Sequence, residues 1–193
     1  MPLILRPPIH SDQARVRELN TLCSTERFDF LAGAGELSAQ AGLDKLDNTA
    51  SSDWTGFLDS VRQQHEGTDL PAGWLPADFL LAEIHDQDTG EPAEPTVIGR
   101  ASIRYGLTEN LLNYDGHIGY AVAPEFRRQG YATEILRQSL VLLANRGIHR
   151  VLVTCDDDNL GSAAVIKANG GTLEDRRFKP GDNVPTRRYW ITN

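Results

Sequence analysis

The stretch Ala121–Thr133, AVAPEFRRQGYAT, constrains this chain more than any other. An apolar strand end runs into a short basic loop containing a glycine, and the loop runs straight into a helix start. Arg127, Gly130 and Ala132 stand in an R-x-x-G-x-A spacing, with Arg128 and Gln129 between the first two. Such a turn leaves backbone N–H groups unpaired at a helix N-terminus, where the helix dipole also favours anions. Gly130 lets the backbone approach a ligand closely, and the small Ala132 keeps the next contact uncrowded. The expected ligand carries phosphate or pyrophosphate.

The surrounding pattern is that of an α/β protein. Leu3–Arg6 reads as a first strand closed by Pro7 and Pro8, and Ser11 is placed to cap a helix with Val16, Leu19 and Leu22 on one face. Residues 23–78 mix glycines, acids and prolines with two helical patterns, near Gly35–Lys45 and Asp53–Gln64. Asp78–Ile84 and Thr96–Arg104 are apolar runs bounded by turn residues, hence strands, with His85–Pro95 as the loop between them. Gly116–Val122 is a further strand. From Gly130 the apolar residues fall at helical spacing until Gly147. Arg150–Thr154 is a near-continuous apolar strand, as expected for one covered on both faces. Asn159 opens another helix, Gly170 and Gly171 end it, and Thr172–Arg177 and Thr186–Ile191 close the chain as strands. Strand–helix–strand–helix in the second half implies a parallel pair at the sheet centre with antiparallel neighbours. The expectation is one domain over 1–193, a mixed sheet of six to seven strands flanked by helices.

Composition narrows the function classes. The 193 residues are 40% hydrophobic and 24% charged, an ordinary globular balance. A net charge of −8 argues against nucleic acid as the main partner and suits a cationic amine. No run approaches the roughly 20 apolar residues that span a bilayer, and MPLILRPPIH is broken too soon by prolines to read as a signal peptide. Two cysteines, Cys23 and Cys155, make no disulfide framework, so a reducing cytoplasm is expected. The triple acid Asp156–Asp158 lacks the spaced ligands of a calcium loop, and no metal is expected.

Two blocks, GHIGYAVAPEFRRQGYATEILRQSL and then VLVTCDDDNLGSAAVIKANGG, follow one another in the chain. In this order they resemble the GCN5-related N-acetyltransferase (GNAT) superfamily, over Phe79–Trp190 and most densely over His117–Gly171. GHIGY, CDDDN and NGG are similar to a little-described bacterial subgroup of predicted acetyltransferases. The resemblance implies the GNAT-like acyl-CoA N-acyltransferase fold, with 79–191 as its core and 23–78 as the variable, acceptor-side region. There Trp54, Phe57, Trp74 and Phe79 read either as pocket lining or as core. It implies acetyl-CoA as acyl donor, with the backbone of Arg128, Gln129, Gly130, Tyr131, Ala132 and Thr133 facing the pyrophosphate and Arg127 and Arg128 adding charge. Tyr120, Ala121 and Val122 match the strand segment that splays from its parallel neighbour, where the N–H of Val122 or Ala121 would stabilise negative charge on the thioester oxygen. Asn159 matches the side-chain contact to the cofactor arm and equally reads as a plain N-cap.

The catalytic acid and base are where the chain departs from the pattern. The tyrosine that many members place seven residues beyond the asparagine is Ile166 here, and the glutamate some place five before it is Thr154. His117, on the same strand face as Gly119 and Ala121, is the candidate base, or else a histidine bonded to the neighbouring strand. Glu83 and Asp115 are further candidate bases, and Tyr120 and Tyr189 candidate acids. The expected activity is direct transfer of acetyl from acetyl-CoA to a small-molecule or peptide amine in a ternary complex, with a homodimer implied only by family habit. The alternatives are an acyl-CoA-binding domain without turnover and a nucleotide-binding module. The latter lacks both G-x-x-x-x-G-K-[S/T] and the acidic ribose partner.

Overall fold

The computed structural model describes residues 3–24, 30–31, 51–85 and 95–193, and the side chains of 51–53 are not part of that description. In chain order the elements are β1 (Leu3–Arg6), α1 (Gln13–Ser24), α2 (Ser51–Glu66), β2 (Ala77–Ile84), β3 (Thr96–Arg104), β4 (Ile118–Val122), α3 (Tyr131–Asn145), β5 (Arg150–Asp156), α4 (Leu160–Ala168), β6 (Thr172–Arg177) and β7 (Thr186–Thr192). The helical pattern near Gly35–Lys45 and the loop residues 86–94 lie outside the described residues.

Among the described residues seven strands form one sheet, in the order β1-β2-β3-β4-β5-β7-β6. All pairs are antiparallel except β4 and β5, which run parallel through the single pairing Ile118↔Val153. Strand alternation divides the core into two layers. Ile118 and Val122 of β4, with Val151, Val153 and Cys155 of β5, pack against Ile135, Leu136, Leu140 and Leu143 of α3 and Ala163 and Ile166 of α4. On the opposite face Phe79, Leu81 and Ala121 pack against Val16, Leu19 and Cys23 of α1 and Trp54, Phe57 and Val61 of α2.

Trp54 stacks on Phe57 at 5.0 Å, and Phe57 meets Phe79 edge-on at 5.5 Å. These three aromatics are therefore core, and of the four candidates only Trp74 lines the central cleft. The start of α1 also differs from the sequence reading. Ser11 lies inside a 3-10 turn, His10–Asp12, and the Asp12 carboxylate caps that turn by accepting the Ile9 N–H at 2.7 Å. Asp12 can serve because Arg6 holds it at 2.7 Å, so the buried charge is paired. Leu22 is exposed and Cys23 takes the buried position instead. Among the described residues no helix is long and apolar enough to cross a membrane.

Candidate active site

The site follows from the hydrogen-bond parity of β4. On its β3 side the register pairs Ser102↔Gly119 and Arg100↔Ala121, and the flanking bonds run from Arg104 N–H to His117 O and from Ala123 N–H to Ile98 O. In an antiparallel ladder this parity directs the N–H groups of Gly119, Ala121 and Ala123 to β3. The N–H groups of Tyr120 and Val122 therefore face the other way, toward β5. There the parallel pairing ends at Ile118↔Val153, so β4 and β5 part just where these donors lie. Ala121, one of the two donors expected from sequence, is committed to Arg100 by register.

A cleft of about 920 Å³ opens at the parting and is lined from both faces of the sheet. On the face of α3 and α4 it is lined by Tyr120, Cys155, Asn159 and Ser162. The Tyr120 hydroxyl and Ser162 Oγ are 2.8 Å apart, and burial pushes the Tyr120 phenol up, so it stays protonated. Burial likewise raises the Cys155 thiol, which keeps it in its unreactive protonated form. Asn159 Oδ1 accepts the Ser162 N–H at 2.9 Å, so the N-cap reading holds. Ser162 stands three residues beyond Asn159, on the same helix face, which brings both side chains to the cleft.

The basic loop follows β4 directly. Arg127 Nε donates to Val122 O at 3.0 Å, tying the loop to the strand end. Arg15 of α1 braces it from below through Glu125 at 3.0 Å. Arg128 (φ 62°) and Gly130 (φ 87°) both take left-handed conformations, which turn the chain sharply into α3. Among the described residues no side chain caps that helix. The N–H groups of Ala132 and Thr133, in its first turn, have no intrahelical acceptor. A Cβ added at Gly130 would meet nothing within 4 Å, so open space lies over the loop. This surface fits a phosphate-bearing ligand, although it lies outside the cleft lining itself.

The family model for the acetyltransferase (GNAT) domain matches residues 3–172. The chain belongs to the GNAT acetyltransferase family. No protein of curated function matches it in sequence. Among solved structures it is similar to the Salmonella typhimurium acetyltransferase that modifies the N-terminal serine of the 50S ribosomal subunit protein L7/L12. That likeness has a TM-score of 0.59 and 22% identity, covering 99% of this chain and 95% of that one. The microcin C7 self-immunity acetyltransferase MccE, solved with acetyl-CoA and AMP, superposes with a TM-score of 0.59 at 16% identity, covering 99% and 92%. Salmonella typhimurium yncA, solved with acetyl-CoA, gives 0.55 at 15% identity, covering 98% and 93%. At these identities the likeness establishes the GNAT fold.

On the other face of the sheet the cleft is lined by Arg100, Arg104, Thr154, Asp156 and Asp115, with Trp74 at one wall. Two positions that many GNAT members use in catalysis are unusable here, since Ile166 is fully buried in the core and Thr154 has no titratable group. His117 does not line the cleft. It is 5% exposed, and its Nδ1 accepts the Leu152 N–H at 2.9 Å, the strand-to-strand alternative read from sequence. Glu83 is likewise remote, bound to Arg6 at 2.5 Å and His85 at 2.9 Å. Tyr189 is buried opposite Val153 in the β5–β7 ladder. Asp115 reaches the cleft but is held by Asn110 at 2.6 Å. Ser162 is one of the cleft residues to which the sequence alone assigned no role, although the N-x-x-S spacing announces it.

Proposed function

We propose that this GNAT chain transfers an acetyl group from acetyl-CoA to the amine of a small molecule or peptide by direct attack in a ternary complex. The observation that carries the reading is the parting of β4 from β5, which turns the Tyr120 and Val122 N–H groups toward the gap, with Tyr120 lining the cleft that opens there. The loop Arg127–Thr133 suits the pyrophosphate: open space over Gly130, a bare helix N-terminus and two arginines meet there. From the loop the strand edge leads back through Val122 and Tyr120 to the cleft, the path along which the acyl arm would lie.

Acetyl-CoA supplies an activated thioester, so the protein has chiefly to position and polarise. The Val122 and Tyr120 N–H groups are donors fixed by the sheet and aimed where charge develops on the carbonyl oxygen. The Tyr120–Ser162 hydroxyl pair, protonated and 2.8 Å apart, is placed to return a proton to sulfur. Asn159 keeps its amide N–H donors for the arm, because Oδ1 is spent on the cap. The two free thiols suit a cytoplasmic setting.

A second reading, acyl-CoA binding without turnover, is favoured by Ile166 and Thr154 standing where catalytic side chains are common. Thiol release from acetyl-CoA, measured with amines, amino acids and peptides, separates the two. Transfer predicts release that rises with one class of amine. Tight acetyl-CoA binding with no release against any of them would replace the transferase with the sensor.

A further inference from the structure

At the end of β5 the cleft carries an exposed carboxylate, Asp156, that no hydrogen bond or ion pair among the described residues engages. The acids Asp156, Asp157 and Asp158 are adjacent in sequence but have different surroundings. Asp157 is spent on structure: Arg187 and Arg176 bond it at 2.6 and 2.5 Å and hold it below the usual carboxylate range. Asp158 does not line the cleft. Asp156 ends β5, two residues beyond Thr154 and thus on the same face, and it lines the cleft. Among the described residues no hydrogen bond or ion pair satisfies its carboxylate. We infer, resting on the transferase reading, that Asp156 is the catalytic base that takes a proton from the acceptor's ammonium group.

The competing bases fail on geometry. His117 has committed Nδ1 to Leu152 and stands outside the cleft, Glu83 is bound to Arg6, and Asp115 is bound to Asn110. Asp182 also lines the cleft, but from the loop between β6 and β7 rather than from a strand beside the reacting centre. Its charge acts on Asp156 instead. Partial burial, then Asp158 and Asp182, raise the Asp156 carboxyl above its ordinary value, against the pull of Lys179. The other charged or titratable groups around the cleft are Arg100 and Arg104 from β3, Tyr114 and Asp115 from the turn before β4, and Tyr120 and Cys155 on the far face. A more basic carboxylate is the better proton acceptor at neutral pH.

The step balances. The ammonium gives one proton to Asp156, leaving a neutral amine whose nitrogen bonds to the thioester carbon. The carbon–sulfur bond breaks and sulfur keeps the electron pair. The second nitrogen proton reaches sulfur through the Ser162 and Tyr120 hydroxyls, and Asp156 releases its proton to water. One ammonium and one acetyl-CoA become one amide, one thiol and one free proton.

The test compares Asp156→Asn, Asp156→Glu and Asp158→Asn with the full-length protein. Thiol release is followed from acetyl-CoA with spermidine and with tripeptides bearing free serine, alanine or lysine N-termini. Expected for Asp156→Asn is a fall in kcat of about 100-fold or more, with acetyl-CoA affinity unchanged. The acidic limb of the pH profile, set in the wild type above the ordinary carboxylate range, is lost. Asp156→Glu restores part of the rate and the limb, and Asp158→Asn keeps the rate near neutral pH while moving the limb toward the ordinary carboxylate range. An Asp156→Asn protein with the wild-type rate and limb overturns the assignment while leaving the transferase reading intact. So does one that loses acetyl-CoA affinity in step with its rate. A wild-type protein that releases no thiol with any of these amines defeats the transferase reading, and the assignment with it.

Discussion

His117 Nδ1 accepts the backbone N–H of Leu152 at 2.9 Å, one residue before the last point where β4 and β5 are still joined. One residue later comes the Ile118↔Val153 pairing, and beyond it the strands part. The histidine is buried and does the work of a ladder bond, holding closed the end of the gap from which the cleft opens. Burial, aided by the positive charge of Arg104, pushes its pKa down to about 4. A ring protonated on Nδ1 would lose the Leu152 bond.

This makes His117 an acid-sensitive support. The unfolded ring binds a proton near pH 6.5 and the folded ring only near 4, so between these values the unfolded state holds more protons and stability falls as pH falls. Urea unfolding should show a loss approaching about 3 kcal/mol across that window. His117→Ala should cost about 1–3 kcal/mol at neutral pH by orphaning the Leu152 N–H, and should lack that acid segment. An unaltered pH–stability curve in the variant would show that the proton binds elsewhere.

Gly130→Glu should reduce acetyl-CoA affinity at least 100-fold, measured by calorimetry. The new carboxylate would stand in the open space over the loop and repel the pyrophosphate. Gly130→Ala should show only the backbone cost of the left-handed conformation, about 1–2 kcal/mol of stability. Unchanged affinity in the glutamate variant would remove the loop from the cofactor site.

Gly99 is required by a neighbour 22 residues away in sequence. A Cβ there would lie 2.3 Å from the Ala121 carbonyl oxygen, so β3 and β4 could not keep their spacing. Gly99→Ala should cost about 1–3 kcal/mol. It should also slow turnover, because the same strand segment positions the Tyr120 and Val122 N–H groups. A melting temperature within a degree of wild type would contradict the predicted clash.

Tyr120→Phe and Ser162→Ala should each lower kcat tenfold or more while the KM for acetyl-CoA changes less than threefold. Either change breaks the 2.8 Å hydroxyl pair without touching the backbone N–H groups or the Asn159 cap. The double variant should be little worse than either single one if the hydroxyls act as one relay. Full rates in both single variants would leave water as the proton source.

The order and kind of most elements were legible in the chain, because a strand or helix announces itself through residues a few positions apart. The basic loop proposed for the pyrophosphate was legible for the same reason: glycine, arginine and helix start all lie within Arg127–Thr133. Ser11 misled because a neighbouring carboxylate, Asp12, made acceptable by a cation on β1, outcompeted it as the cap.

Sequence alone determined the mixed α/β fold, the family and the loop, all of which rest on local spacing. Only the tertiary structure decided which of His117, Glu83 and Asp115 had been spent on other partners. Likewise, only the fold showed that Asp157 is neutralised by arginines 19 and 30 residues away, whereas Asp156 faces the cleft. It also decided between Ala121 and Val122 as the donor toward the gap. That choice rests on strand register, and register is set by the partner strand, which the local sequence does not contain.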